Sequence, residues 1–138
     1  MSSVSAAVLL GLIGWTLCLL VLIEYRRTRL VLSGELDVTT IRPDHENLSP
    51  FMQRLARAHA NCVEGLPVFG GLLLLALVAG HAEITDPLAP LLLALRMLQS
   101  LAHLASGGAN AIRLRFVAFV GQIGIALTWC VALSRELI

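Results

Sequence analysis

The chain has 138 residues, 57% of them hydrophobic and only 14% charged, with a mean hydropathy of +0.83. Soluble domains carry about 25% charged residues, so this composition excludes an ordinary soluble domain and indicates an integral membrane protein. The formal charge of +1 identifies no partner, and no basic tract with interleaved aromatics points to nucleic acid.

The first span is Val4–Ile23, 20 uncharged residues, enough to cross about 30 Å of hydrocarbon at 1.5 Å per residue. No basic leader precedes it, so it reads as a retained span rather than a cleaved signal. Glu24-Tyr25-Arg26-Arg27-Thr28-Arg29 ends it at an interface, and the polar, aperiodic residues 33–48 predict a loop. Ser49-Pro50 is a helix start, with serine as cap and proline in the first position. The second helix is expected over Pro50–Gly80. Its apolar part, Leu66–Ala79, is too short to cross alone, so Arg54–Glu64 must form its first turns, reaching from water into the bilayer. At about 100° per residue, Arg54, Arg57, Asn61 and Glu64 fall within roughly 80° of one another. That face is costly at membrane depth unless it meets other helices or a charged ligand.

Gly80–Pro87 predicts a short turn, and a third span follows over Leu88–Ala105. Ser106-Gly107-Gly108-Ala109-Asn110 breaks it, and a fourth span is expected over Phe116–Leu133. In the third span Arg96, Gln99, Ser100 and His103 cover roughly 100° of one side. Two readings are open for Arg96. It pairs with Glu64 and pins the third span to the second, or both polar faces line one pocket in the cytoplasmic half of the membrane. The expected architecture is an all-α, integral membrane four-helix bundle, one domain over 1–138.

Six arginines (Arg26, Arg27, Arg29, Arg42, Arg54 and Arg57) lie between spans one and two, and Arg113 and Arg115 between three and four. The turn between two and three has Glu83 and Asp86 but no arginine. The positive-inside rule then places both termini outside and the Arg-rich connections in the cytoplasm, with Arg135 the one dissenter. All ten basic residues are arginine, as in genomes rich in G and C, which points to a bacterial inner membrane.

Cys18, Cys62 and Cys130 are too dispersed for a disulfide framework or a metal site, and His45, His59, His81 and His103 form no zinc-type pair. Cys62 is a small buried hydrophobe or, beside the polar face, a reactive thiol. Gly107-Gly108 follows a helix rather than a strand, so it is a turn and no phosphate loop. Several arginines favour carboxylates through bidentate contacts, while Glu64 and Asn61 suit an amine or amide. A small zwitterionic peptide with two carboxylates matches this inventory better than a metal or a nucleotide.

Four short spans, Arg57-Ala-His-Ala-Asn61-Cys62-Val-Glu64-Gly-Leu-Pro67 opening the second, and Arg96 in the third resemble the MAPEG superfamily. These are membrane-associated proteins in eicosanoid and glutathione metabolism, among them the microsomal glutathione transferases. The resemblance implies a homotrimer with glutathione at subunit interfaces near the cytoplasmic side. It implies that Arg57, Asn61 and Glu64 hold glutathione, with Arg54 nearby, Arg96 from the third span, and Gln99 and His103 at positions where relatives often carry tyrosine. An arginine opening the fourth span would stabilise the glutathione thiolate. Arg115, in Arg115-Phe-Val-Ala-Phe-Val-Gly-Gln122, fits best, with Arg113 the alternate. The expected activity is a glutathione-dependent transferase or peroxidase acting on lipophilic electrophiles that arrive through the lipid, with no metal. Gly65, Gln99 and His103 depart from the family's aromatic pattern, which leaves a second reading: a non-catalytic member binding lipid or a partner protein. A small transporter subunit is a third, without an inverted repeat to support it.

Overall fold

A computed structural model describes residues 3–42 and 45–138. Its helices are α1 (Val4–Leu32), α2 (Pro50–Ala79), α3 (Ala82–Thr85), α4 (Ala89–Ala105) and α5 (Ala109–Leu137), with a single 3-10 turn at Val38–Thr40. The expected all-helical bundle is borne out, and α1, α2 and α5 are each long and apolar enough to cross a membrane. At 17 residues, α4 is shorter, reaching about 26 Å. It packs against α1, α2 and α5, so most of its surface meets protein rather than lipid.

The ends of the helices follow from local chemistry. Ser49 Oγ accepts the Met52 amide and starts α2, with Pro50 in the first position as the sequence implies. Gly80 ends α2 in the left-handed conformation, φ +81°, which a residue with a Cβ adopts only at a cost. Two boundaries differ from expectation. α1 runs on to Leu32, because Arg26, Arg27 and Arg29 are good helix formers whose long side chains keep their charges in water while the backbone continues. α5 begins at Ala109 rather than near Phe116, so Arg113 and Arg115 sit on its first turns rather than in a loop. Inside α2, Pro67 donates no hydrogen bond and leaves the Val63 carbonyl without its usual partner.

Two apolar cores hold the bundle. One joins Val8 and Leu12 of α1, Phe69 and Leu73 of α2, Leu92 of α4, and Ile125 and Trp129 of α5. The other joins Leu19 and Ile23 of α1 to Met52, Leu55, Ala58 and Cys62 of α2. One turn past Leu92 the inward stripe of α4 becomes polar, and Arg96, Gln99, Ser100 and His103 are all buried. Large apolar side chains such as Leu10, Val21, Val78, Val117 and Leu127 point outward, as expected of helices solvated by lipid.

At the opposite end from Arg26, Arg27 and Arg29, the α2–α4 connection is tied to the start of α1. Asp86 Oδ1 accepts the Ser5 amide at 2.7 Å, the Ser5 hydroxyl at 2.6 Å and the Ser3 hydroxyl at 2.9 Å. The carboxylate therefore caps the positive end of α1 from a distant point in the chain. These bonds, the Ser5 hydroxyl first, hold the Asp86 carboxyl below its ordinary value. A lowered folded-state value means the contribution is present above the ordinary carboxylate range and is lost as pH falls through the folded value. The melting temperature in detergent should hold from neutrality down to about pH 4 and fall below it, with a shallower fall in Asp86→Asn. Asp86→Ala should cost about 1 kcal/mol by equilibrium unfolding at neutral pH.

Candidate functional site

Arg96 enters the bundle from the middle of α4, with 3% of its surface exposed. Its Nη1 donates to the Asn61 carbonyl at 3.0 Å and to Gln99 Oε1 at 3.2 Å. Gln99 Oε1 also accepts Gln122 Nε2 at 3.1 Å, which extends the chain to α5. Among the described residues Nη2 finds no hydrogen-bond acceptor, and the guanidinium lies over the Phe69 ring with its carbon 5.0 Å from the centroid. A cation facing an aromatic ring in a dry interior recovers part of the lost hydration. The guanidinium also fits only because position 65 lacks a side chain, since a Cβ on Gly65 would collide with Nη2. Gly65, the departure from the aromatic pattern, is thus the complement of Arg96.

The ion pair considered between Arg96 and Glu64 does not form: no such pair occurs among the described residues, and Glu64 is exposed. The reason is helical phase. Glu64 follows the buried Cys62 by two residues, about 200° around α2, so it faces away from the interior that Arg96 enters.

A second polar chain joins α2, α4 and α5. Arg115 Nη1 lies 2.7 Å from His103 Nδ1, and His103 Nε2 lies 3.4 Å from Asn61 Nδ2. A guanidinium only donates, so Nδ1 is the acceptor and the ring hydrogen resides on Nε2. The Asn61 amide nitrogen is itself a donor, committed to the Arg57 carbonyl at 3.0 Å. The Nε2 hydrogen of His103 therefore meets another donor, and an acceptor brought by a ligand would satisfy it. Arg54 Nε donates to the Leu104 carbonyl at 3.3 Å, placing a cation on the C-terminal carbonyls of α4. Arg57 and Arg113 are exposed.

Asn61 and Glu64 also line the polar end of a 590 Å³ groove between α2 and α5. Gly65, Phe69, Leu72, Phe119, Ile123 and Leu127 form much of its apolar length. Of the residues singled out in the sequence, Asn61, His103 and Arg115 thus come into one chain, Arg96 and Gln99 into another, and Glu64 onto the groove. Gln122 belongs to the buried network although the sequence reading passed over it. As an amide in an apolar span it carried a legible signal, because such groups are costly in lipid and need partners. Cys62 is buried, its sulfur 3.4 Å from Ser100 Oγ.

Because Nη1 is fixed by two hydrogen bonds, the Arg96 guanidinium cannot yield to a new Cβ without breaking them. Gly65→Ala should lower stability by about 1–3 kcal/mol in detergent unfolding. In an Arg96→Met background the same substitution should cost much less, since the methionine side chain has no hydrogen bonds to hold it against the new Cβ. Equal destabilisation by Gly65→Ala in the Arg96→Met background would contradict this coupling.

A family model described as the MAPEG family matches residues 5–134, nearly the whole chain. Neither a curated protein nor a solved structure gives a significant match. Together with the apolar helices, the match bears out the resemblance and makes this an integral membrane protein of the glutathione and eicosanoid metabolism kind. The chain belongs to the MAPEG family.

Proposed function

We propose that the chain binds glutathione and transfers its thiolate to lipophilic electrophiles. The observation that carries this is the Asn61–His103–Arg115 chain, in which the Nε2 hydrogen of His103 faces the Asn61 amide nitrogen without an acceptor, next to an arginine. Glu64, exposed at the polar end of the groove, suits the ammonium of the peptide's γ-glutamyl residue. Arg57, exposed on the same helix, suits a carboxylate, as does Arg54. Arg96 and Gln99 act from behind, fixing α2 against α4 rather than touching the peptide.

A thiol is a poor nucleophile until it loses its proton, and a fixed cation nearby favours the thiolate. Arg115 is half-buried and held by His103, so its charge is placed before substrate arrives and works in a partly dry setting. Arg113, exposed two residues earlier on α5, lacks that placement and remains the alternate. In conjugation of a chlorodinitrobenzene the thiolate sulfur forms a bond to the ring carbon, chloride leaves, and the thiol proton goes to solvent. With a lipid hydroperoxide the same thiolate would attack the terminal oxygen, breaking the O–O bond to give a sulfenic acid and a lipid alkoxide that takes up the proton; a second glutathione would then reduce the sulfenic acid, forming the disulfide and water. The apolar length of the 590 Å³ groove suits an electrophile that partitions from the bilayer. We further propose a homotrimer in a bacterial inner membrane, with the site facing the cytoplasm.

One observation favours the non-catalytic reading. Gln99, at a position where relatives often have tyrosine, is turned inward, its Oε1 accepting from Arg96 and Gln122, and it does not line the groove. The two readings separate in kinetics. Arg115→Ala should lower turnover of a chlorodinitrobenzene on the order of 100-fold while glutathione affinity changes little. Glu64→Ala should weaken glutathione binding about tenfold or more, read by calorimetry. Glutathione binding without turnover across a broad electrophile panel would select the non-catalytic reading. No binding at millimolar glutathione would refute both the transferase and its site.

A further inference from the structure

Away from the groove, a 520 Å³ cavity opens between the end of α1, the residues that follow it and the start of α2. Two arginines line it, Arg26 and Arg29. They differ from Arg27 between them, which is bonded to Glu24 at 3.0 Å and to His45 at 2.9 Å. Among the described residues no carboxylate forms an ion pair with Arg26 or Arg29. The Arg26 guanidinium is positioned over the Phe51 ring, 5.2 Å from its centroid. Its floor is formed by apolar side chains, with Leu48 and Met52 buried and Leu30 half-buried, and Ser33, Asn47 and Ser49 add polar groups to the lining. Glu35 also lines the cavity, its carboxylate accepting the Ser33 hydroxyl at 2.9 Å, so the lining keeps a net positive charge of about one.

Depth decides what such a cavity meets. Arg26 and Arg29 lie one to two turns beyond the apolar run that ends at Ile23, and Tyr25 beside them is 55% exposed. Aromatic and basic side chains at the end of a span lie at the level of lipid headgroups. Two guanidiniums over an apolar floor at that level match a phosphodiester above its glycerol and acyl carbons. A soluble anion would use the cations and leave the floor unused.

We propose that this cavity is a binding site for the headgroup of an anionic phospholipid, with Arg26 and Arg29 holding the phosphoryl oxygens. It is independent of the glutathione reading, since none of the residues assigned to that site lines it.

The test uses the full chain in neutral detergent and follows thermal unfolding with three probes: a short-chain phosphatidylglycerol, the matching phosphatidylcholine, and inorganic phosphate. Phosphatidylglycerol should raise the midpoint, the other two should not, and R26Q/R29Q should weaken the phosphatidylglycerol effect about tenfold or more. Arg135→Gln, far from the cavity, should leave it unchanged. Glu35→Gln, which removes the opposing carboxylate, should strengthen it several-fold and serves if the double variant does not fold. Equal shifts with phosphatidylcholine, an equal shift with inorganic phosphate, or an undiminished effect in R26Q/R29Q would each overturn the proposal. So would an unchanged or weakened effect in Glu35→Gln.

Discussion

A guanidinium buried in the middle of a bilayer-spanning bundle must be solvated by protein, and the interior of this molecule is arranged around that requirement. Arg96 draws on the backbone of α2 through the Asn61 carbonyl, on its own helix through Gln99, and on α5 through the link from Gln99 to Gln122. It draws also on the Phe69 ring and on the space that Gly65 leaves open. In lipid, hydrophobic burial gives helices little reason to associate with one another, so hydrogen bonds and close packing across their faces carry more of the specificity. The polar stripe of α4 is therefore the feature that selects its neighbours.

The candidate site residues inherit their positions from this arrangement. Asn61 presents its carbonyl to Arg96 and its amide to the chain that leads through His103 to Arg115. One turn of α2 thus couples the structural network to the chemical one. Where relatives often hold tyrosine, this chain has a histidine whose single hydrogen is fixed on Nε2 by Arg115. A hydrogen-bond donor is kept at that position by different chemistry. Gln99, by contrast, has been recruited into the interior. The departures from the aromatic pattern are consequently not equivalent: Gly65 and Gln99 serve Arg96, while His103 is bonded to Arg115.

Much of this was legible in the sequence and some was not, for identifiable reasons. The start of α2 was readable because Ser49-Pro50 encodes a cap and a preset φ. The polar side of α4 was readable because four polar residues at helical spacing stand out in an apolar run. The partner of Arg96 was not, since periodicity gives the angle between residues on one helix but not which side of that helix faces the next. The Arg115–His103 contact was equally hidden, because it spans the break at Gly107-Gly108 and depends on how α5 leaves it. The early start of α5 is not visible in hydropathy, because Arg113 and Arg115 interrupt the apolar run, although arginine is a good helix former.

The most direct test is the ultraviolet absorbance of bound glutathione at neutral pH. A thiolate absorbs where a thiol does not, so saturating the wild-type protein should produce a thiolate band that Arg115→Ala lacks. A peptide bound as the thiol, or an undiminished band in Arg115→Ala, would contradict thiolate stabilisation by Arg115.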